Sequence, residues 1–288
     1  MRLLLPLLFA LQALPAFAVY CAESKIIEHE FSAAEYKEVE LKALAGELEV
    51  RSGDTGIITF WGKVCTDTER HLNMMDLDIL KDSKKLTLIA VIPYHQDDFD
   101  PSIALLDIEL TLPAEMPLKL RDSSGDMIVS DVSVTSIEDS SGDIRVRNGH
   151  ADLSIRDSSG QVDVRGNRGS VKVSDSSGDI DISDIDGNVE VPGDSSGDIE
   201  ISEVKGTVIV GRDGSGDIDI EHVGKDILIS SDGSGDISID DVSGMVRIEA
   251  DGSGSVRVDD VAGDFELSNK GDGDVRTSDI GGRINTPR

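Results

Sequence analysis

The sequence predicts an all-β fold, a parallel β-solenoid (β-helix) built from coils of about 19 residues with two short strands each. Three observations support this prediction. A turn motif, D-[SG]-S-G, recurs at intervals of 17 to 19 residues from Asp122 onward. Ile and Val alternate with polar residues between these turns, which is the period of a β-strand. Gly recurs in every coil, and the 3.6-residue period of an amphipathic helix is missing there.

The repeated turn marks about nine coils. Its first residue is an Asp in eight of them, and a degenerate ninth copy begins at Lys270. The eight residues are Asp122, Asp139, Asp157, Asp175, Asp194, Asp213, Asp232 and Asp251. Because stacked coils bring equivalent residues of neighbouring repeats together, this spacing predicts a solenoid over residues 119–288.

Each coil is predicted to hold two strands with one buried face. In the unit that starts at Asp175, Ile180 and Ile182 lie on the first strand, and Val189 and Val191 lie on the second. Such alternation, bounded by clusters of Gly, Asp and Ser, is typical of half-buried strands. Stacked strands are about 4.8 Å apart, so the apolar positions of successive coils should form one continuous core.

Residues 19–118 have a different composition from the repeats. They hold seven aromatic residues, whereas residues 119–288 contain Phe265 alone. Segments such as GIITFWGKVC and KKLTLIAVIPY also have the composition of strands. Because the open end of a solenoid exposes unpaired strand groups, we predict that residues 19–118 form a β-rich N-terminal capping region.

Residues 1–18 predict a secretory signal peptide. Arg2 precedes an apolar stretch, and small residues at Ala16 and Ala18 indicate cleavage after Ala18. The predicted location is therefore the periplasm, the cell surface or the extracellular space. Lipid attachment at Cys21 is a second interpretation, which the bulky Tyr20 disfavours. No later segment approaches the roughly 20 apolar residues of a membrane helix, so the mature chain is predicted to have no transmembrane segment.

The two cysteines, Cys21 and Cys65, both follow the predicted cleavage site. In an oxidising compartment an even pair most simply forms a disulfide. Neither cysteine lies in a CxxC motif, which disfavours a redox or metal role. We therefore predict a structural Cys21–Cys65 disulfide.

The charge balance excludes a nucleic-acid-binding protein. The chain has 27 Lys and Arg against 57 Asp and Glu, a formal net charge of −30. Phosphate backbones are bound by basic surfaces, and this surface would repel them. We also predict that the protein requires no cofactor. The predicted binding partner is a protein or a glycan.

One stretch resembles a known family. The order LDIELTLPAEMPLKLRDSSGDMIVSDV, followed by repeated SGDI units, is similar to the DUF4097 family of adhesin-like β-repeat proteins from bacterial envelopes. This resemblance implies a right-handed β-solenoid that is secreted or associated with the envelope. It implies no catalytic residues.

The acidic ladders carry the most distinctive chemistry of the repeats. Equivalent aspartates about 4.8 Å apart repel each other by about 1 kcal/mol even at the dielectric constant of water. Hydrogen bonds from turn amides and Ser hydroxyls would offset this repulsion, and so would shared divalent cations such as Ca²⁺. The candidate calcium ligands are Asp175, Asp194, Asp213, Asp232 and Asp251. A second ladder is predicted from Asp126, Asp143, Asp179, Asp198, Asp217 and Asp236.

Two further groups are candidates for an interaction surface. The basic residues Arg145, Arg147, Arg165 and Arg168 suit either an anionic glycan or charge pairing with nearby aspartates. In the loop around Tyr94 and Phe99, the aromatic rings suit stacking on a sugar. The other interpretation of this loop is a solvated segment with Phe99 tucked beneath it.

These observations favour a non-enzymatic, secreted or envelope-associated protein that is adhesin-like and presents a rigid acidic surface. The alternative is a periplasmic structural protein or a repeat protein that associates with divalent cations. A β-helix enzyme acting on polysaccharides is a third interpretation. It is disfavoured because the acids recur at equivalent coil positions and the five His are scattered along the sequence.

Overall fold

In the computed structural model, which describes residues 21–94 and 99–287, strands dominate the chain. The N-terminal strands are β1 (Glu23–Ser32), β2 (Glu38–Lys42), β3 (Leu48–Ser52), β4 (Ile57–Thr66), β5 (Asp76–Asp82), β6 (Lys85–Val91) and β7 (Ala104–Leu112). A short 3₁₀ turn (Ala33–Glu35) follows β1, and a four-residue helix, α1 (Glu69–Leu72), follows β4. The predicted signal peptide and its cleavage site lie outside the described residues.

The repeat region consists of short strands that alternate between two sheets. These are β8 (Leu118–Arg121), β9 (Met127–Ser130), β10 (Val134–Glu138), β11 (Ile144–Gly149), β12 (Leu153–Arg156), β13 (Val162–Asn167), β14 (Val171–Ser174), β15 (Ile180–Ile185), β16 (Val189–Gly193), β17 (Ile199–Val204), β18 (Val208–Arg212), β19 (Ile218–Val223), β20 (Ile227–Ser231), β21 (Ile237–Val242), β22 (Val246–Ala250), β23 (Val256–Val258), β24 (Phe265–Asn269), β25 (Val275–Thr277) and β26 (Ile284–Asn285). Successive strands belong to opposite sheets, so each coil contributes one strand to each.

Sheet A has the order β1-β4-β7-β3-β9-β11-β13-β15-β17-β19-β21-β23-β25, and sheet B has the order β5-β6-β2-β8-β10-β12-β14-β16-β18-β20-β22-β24-β26. Among strands β8 to β26 every pairing is parallel, and the paired residues are 16 to 19 positions apart. This arrangement confirms the predicted β-solenoid.

The core is a set of aliphatic columns. Ile180, Ile199, Ile218 and Ile237 are successive register partners in sheet A, and all are fully buried. Sheet B contributes equivalent columns, and the apolar side chains of both sheets form one cluster. Burying one such side chain stabilises the fold by about 1.5–3 kcal/mol, so the repeats are held together mainly by aliphatic packing.

The N-terminal region joins the stack through a coil of its own. Strand β2 pairs in parallel with β8, and β3 pairs in parallel with β9. Beyond them, β6 and β5 extend sheet B, while β7, β4 and β1 extend sheet A. The outermost pairs, β1 with β4 and β5 with β6, are antiparallel. Among the described residues, no helix is long and apolar enough to cross a membrane.

Cys21 and Cys65 form a disulfide at this end of the molecule, with their Cα atoms 5.2 Å apart. Cys65 lies on β4, and Cys21 precedes β1. The bond therefore ties the start of the outermost strand of sheet A to its neighbour.

Candidate functional site

The first turn of each coil places an aspartate inside the solenoid. Each of these residues directly follows a sheet B strand, where the chain turns toward sheet A. They are only 2–7% exposed. We call this set the aspartate column; it comprises Asp122, Asp139, Asp157, Asp175, Asp194, Asp213, Asp232 and Asp251.

Local hydrogen bonds leave every carboxyl group in the aspartate column at least partly unsatisfied. In six coils, Oδ1 accepts a hydrogen bond of 2.6–2.8 Å from the main-chain N–H of the next residue. In all eight coils, Oδ2 is buried and has no hydrogen-bond partner among the described residues. The serine hydroxyls do not supply the missing bond, because those of Ser141, Ser159 and Ser177 donate to main-chain carbonyls of the preceding coil.

Burial raises the pKa of these carboxyl groups, because it disfavours the ionised form. The pKa rises to about 7 at Asp122 and Asp232, and to about 6 at Asp157 and Asp194. Neighbouring aspartates of the column add to the shift, since ionising one of them raises the cost of ionising the next.

The second predicted ladder lies on the surface and has a different role. Its carboxylates accept hydrogen bonds of 2.8–3.2 Å from main-chain N–H groups of the next coil. The acceptors are Asp126, Asp143, Asp179, Asp198, Asp217 and Asp236. This ladder continues the hydrogen bonding between coils through the turn, where the strands themselves have ended.

The candidate calcium ligands Asp175, Asp194, Asp213, Asp232 and Asp251 all belong to the aspartate column. In the part of the chain that the structure describes, no group of three or more His, Cys, Asp or Glu side chains is placed to hold a metal ion. The calcium ligands of the column therefore stay a prediction.

The basic residues are divided between a sheet face and a turn. Arg145, Arg147 and Arg165 lie on sheet A, whereas Arg168 follows β13 in the second turn of its coil. Arg145 donates to Asp143 at 2.8 Å. Arg147 forms an ion pair with Asp163 in the next coil. Two of the four guanidinium groups are therefore paired with neighbouring aspartates.

The loop aromatics are placed differently from each other. Phe99 is buried, and its ring lies edge-on to those of His71 and Tyr94, at centroid distances of 5.2 and 6.0 Å. Tyr94 is half exposed, and its hydroxyl donates to the carbonyl of Ala104 at 3.3 Å. Phe99 thus anchors this segment, while residues 95–98 lie outside the described part of the chain.

Asp67, which the sequence pattern did not single out, fastens the same segment. One carboxylate oxygen lies 2.7 Å from Nδ1 of His71, and the other accepts hydrogen bonds from the N–H and hydroxyl of Ser102. These bonds hold the pKa of Asp67 well below its usual range. Ser102 contacts the carboxylate and not the imidazole, so the three residues lack the order of a nucleophilic triad.

A groove lies on the outer face of sheet A near its N-terminal end, with a volume of about 380 Å³. Trp61 on β4 lines it together with Lys63, Glu109, Ile128 and Arg145. Ile58, Phe60 and Val64 of the same strand point into the core, so Trp61 is on the opposite face. Ile128 is 43% exposed, which gives the groove a second apolar wall.

The groove is acidic overall. Its other lining residues include Glu47, Glu49, Asp107 and Asp126. Asp107 accepts a hydrogen bond from the main-chain N–H of Glu47 at 3.1 Å, which fixes the position of that carboxylate. The result is an aromatic ring surrounded by carboxylates, with one Lys and one Arg among them.

Several solved structures are similar to this chain. One is a candidate lipid-binding protein from Parabacteroides distasonis, 18% identical, with a TM-score of 0.40 over 89% of this chain and 97% of that one. A candidate adhesin from Bacteroides fragilis is 14% identical, with a TM-score of 0.34 over 88% and 97%. A candidate cell adhesion protein from Clostridium sporogenes is 11% identical, with a TM-score of 0.33 over 89% and 100%.

No curated protein matches the sequence. The family model described as Toastrack DUF4097 matches residues 32–205, which is more than half of the chain. The match begins at the end of β1 and ends just after β17, so it includes the N-terminal strands and the first several coils. The chain therefore belongs to the Toastrack DUF4097 family.

Proposed function

We propose that the protein is a non-enzymatic, adhesin-like glycan-binding protein, exported to the periplasm or the cell surface. In this proposal the solenoid is a rigid support, and the groove around Trp61 is the binding site. The observation that carries the proposal is the placement of Trp61, the chain's single tryptophan, on the outer face of sheet A beside fixed carboxylates.

The chemistry of the groove suits a sugar. An indole ring offers an apolar face to the C–H groups of a pyranose, while carboxylates and cationic groups hydrogen-bond its hydroxyls. Because carboxylates outnumber Lys63 and Arg145 in the groove, neutral and amino sugars are favoured over acidic ones. The groove is built on strands, so binding requires little reorganisation of the main chain.

Export is supported by two features of the N-terminal region. The sequence of residues 1–18 has the charge and apolar pattern of a signal peptide. The Cys21–Cys65 disulfide suits an oxidising compartment. Protease accessibility on intact cells, set beside cells with a permeabilised outer membrane, distinguishes the surface from the periplasm.

Intrinsic fluorescence tests the binding site directly, since Trp61 is the only tryptophan in the chain. We expect glucosamine and N-acetylglucosamine oligomers to shift its emission saturably, and a polygalacturonate oligomer to have little effect. On an array of neutral, amino and acidic glycans, Trp61→Ala should abolish binding and Tyr94→Ala should retain it. Full binding by Trp61→Ala would remove the groove from the proposal, and no binding to any glycan would overturn the function itself.

An acidic stripe supports the alternative, a periplasmic repeat protein that associates with divalent cations. Asp181, Glu200 and Asp219 are register partners in three adjacent coils of sheet A. Burial raises the pKa of Asp181 and Glu200, and their acidic neighbours raise it further. If this alternative holds, Ca²⁺ should raise the melting temperature and EDTA should reverse the effect; the glycan proposal predicts no such dependence.

A further inference from the structure

The aspartate column has defined ends. Main-chain pairing through the turn aligns Ala45 with Ser124, so Ala43 occupies the position equivalent to Asp122 in the preceding coil. At the other end, Lys270 occupies the position equivalent to Asp251 in the following coil, and its side chain is exposed. The eight carboxyl groups therefore form one uninterrupted row between an apolar residue and a cation.

Full ionisation of this row would be costly. A buried carboxylate loses its hydration, and each unpartnered oxygen adds a further desolvation penalty. Equivalent atoms in stacked coils are about 4.8 Å apart, so every ionised member would also face a like charge on at least one side. The row lies in a turn that recurs through eight coils, so the cost would recur as well.

One pair shows how the cost can be relieved. Asp213 and Asp232 influence each other's ionisation most directly, since their side-chain interaction raises the pKa of Asp232 and lowers that of Asp213. Two ionised carboxylates have no donor proton, so a hydrogen bond between them requires that one be protonated. A protonated Oδ2 would also gain a partner where the ionised group has none.

We propose that the aspartate column is a proton-binding site, in which the carboxyl groups of successive coils share protons through carboxyl–carboxylate hydrogen bonds. Bound protons then stabilise the stacking of the coils. The solenoid is consequently most stable in mildly acidic surroundings and loses stability as these protons dissociate.

The direction of the pH dependence follows from the raised pKa values of about 6 to 7 at Asp122, Asp157, Asp194 and Asp232. In the unfolded chain these groups have an ordinary pKa near 3.8. Between about pH 4 and pH 7 the folded state therefore binds more protons than the unfolded state. The added stability is fully present below pH 4 and is lost as the pH rises through 6 to 7.

Few other charged groups face the column. Asp198 lies near Asp213, and Asp236 lies near Asp251, and both oppose ionisation of their neighbour. Lys270 favours ionisation of Asp251. At the N-terminal end, the groups around Asp122, Asp139 and Asp157 are Lys42, Arg121, Glu138 and Arg156. Because both signs occur there, the column itself dominates the balance.

Two variants with equal charge change test the proposal. One carries Asp194→Asn, Asp213→Asn and Asp232→Asn in the column. The control carries Asp240→Asn, Glu249→Gln and Asp272→Asn, which are exposed and belong to neither the aspartate column nor the acidic stripe. Asn keeps an oxygen that accepts the N–H of the next residue, and its amide can donate along the row. Melting is followed from pH 5 to pH 8 at constant ionic strength in EDTA.

We expect the wild-type melting temperature to fall by at least about 5 °C over this range. The fall should be about a third smaller in the column variant, since three of eight carboxyl groups are removed, and unchanged in the control. At pH 8 the column variant should melt above the wild type. An equal fall in both variants would assign the effect to overall charge and overturn the proposal.

A second measurement does not depend on whether the column variant folds. Infrared spectroscopy of the wild-type protein at pH 6 should show the carbonyl band of protonated carboxyl groups, at a pH where ordinary carboxyl groups are ionised. Absence of this band would refute proton binding. A rise in the melting temperature with Ca²⁺ at pH 8, present in the control variant and lost in the column variant, would instead assign a cation to the row.

Discussion

Arg147 in one coil and Asp163 in the next form a two-point ion pair across sheet A, although they are not register partners. The partner of Asp163 in the register is Arg145, and the partner of Arg147 is Arg165. Arg147 reaches diagonally, with its Nη1 atom 2.8 Å from Oδ1 of Asp163 and its Nη2 atom on Oδ2. The fork geometry of the guanidinium group makes such a pair stronger than a single-point contact.

A double-mutant cycle should measure this coupling. Arg147→Ala, Asp163→Ala and the double variant are expected to give an interaction free energy of about 1 kcal/mol in urea unfolding. Arg156 and Glu138 serve as the control, because their closest charged atoms are 3.9 Å apart and both side chains are well exposed. Their coupling should be near zero. Equal coupling in both cycles would show that the two-point geometry adds nothing.

Replacing the glycine of the first turn should strongly destabilise the fold. Gly197 has φ of 130°, and a Cβ atom there would collide with the main-chain carbonyl of Gly178 in the preceding coil. Gly197→Ala should therefore lower the unfolding free energy by about 3 kcal/mol. Gly56→Ala is the control, because a Cβ at that position meets nothing within 4 Å. The comparison requires only chemical denaturation of the two variants, and similar stabilities would contradict the steric argument.

The repeat fold was predictable because the inward residues and the turns recur with a fixed period. Ile180 and Ile199 are buried register partners, as the alternation and the 19-residue spacing predict. The outward direction of the Trp61 side chain could also be predicted, since Trp61 alternates along the strand with the apolar residues Ile58, Phe60 and Val64. The groove could not be predicted from the sequence, because its other apolar wall is Ile128, which lies on a distant part of the chain.

Two features were hidden from the sequence for physical reasons. The coil formed by β2 and β3 lacks the repeated turn motif, and the β4–β7 segment separates it from its neighbours β8 and β9. The inward direction of the aspartate column was hidden because period-two alternation applies within a strand. At Asp213, directly after β18, the chain is turning, and alternation no longer says which way a side chain points.

The disulfide should stabilise the N-terminal end alone. Cys21 and Cys65 are separated by 44 residues, and closing a loop of that size stabilises a fold by about 4 kcal/mol in the chain-entropy model. Because each coil of a solenoid contacts only its neighbours, the effect should not spread along the molecule. In the Cys21→Ser, Cys65→Ser variant, hydrogen exchange should accelerate in β1 and β4 and remain unchanged in β17 to β21. Uniform acceleration would argue against this locality.

Near the end of strand β17, just before the second turn of its coil, one position of the sequence is not optimal. Glu203 has φ of 54°, in the left-handed region, and Asn148 occupies the equivalent position of an earlier coil with φ of 52°. Asn tolerates this conformation better than Glu does. The Asn148 amide also donates to Asp131 of the preceding coil at 3.0 Å. An Asn at position 203 would meet Asp184 in the same way.

We therefore expect Glu203→Asn to raise the unfolding free energy by about 0.5 kcal/mol. Glu221→Asn is the matched control: Glu221 is an exposed Glu on β19 whose φ is not positive, and Asn is a poor residue in an extended strand, so this change should be neutral or destabilising. Urea unfolding of both variants at one pH separates the two cases, since they remove the same charge from the same region. Equal stabilisation would reflect relief of the net negative charge, whereas stabilisation by Glu203→Asn alone assigns it to the main-chain conformation.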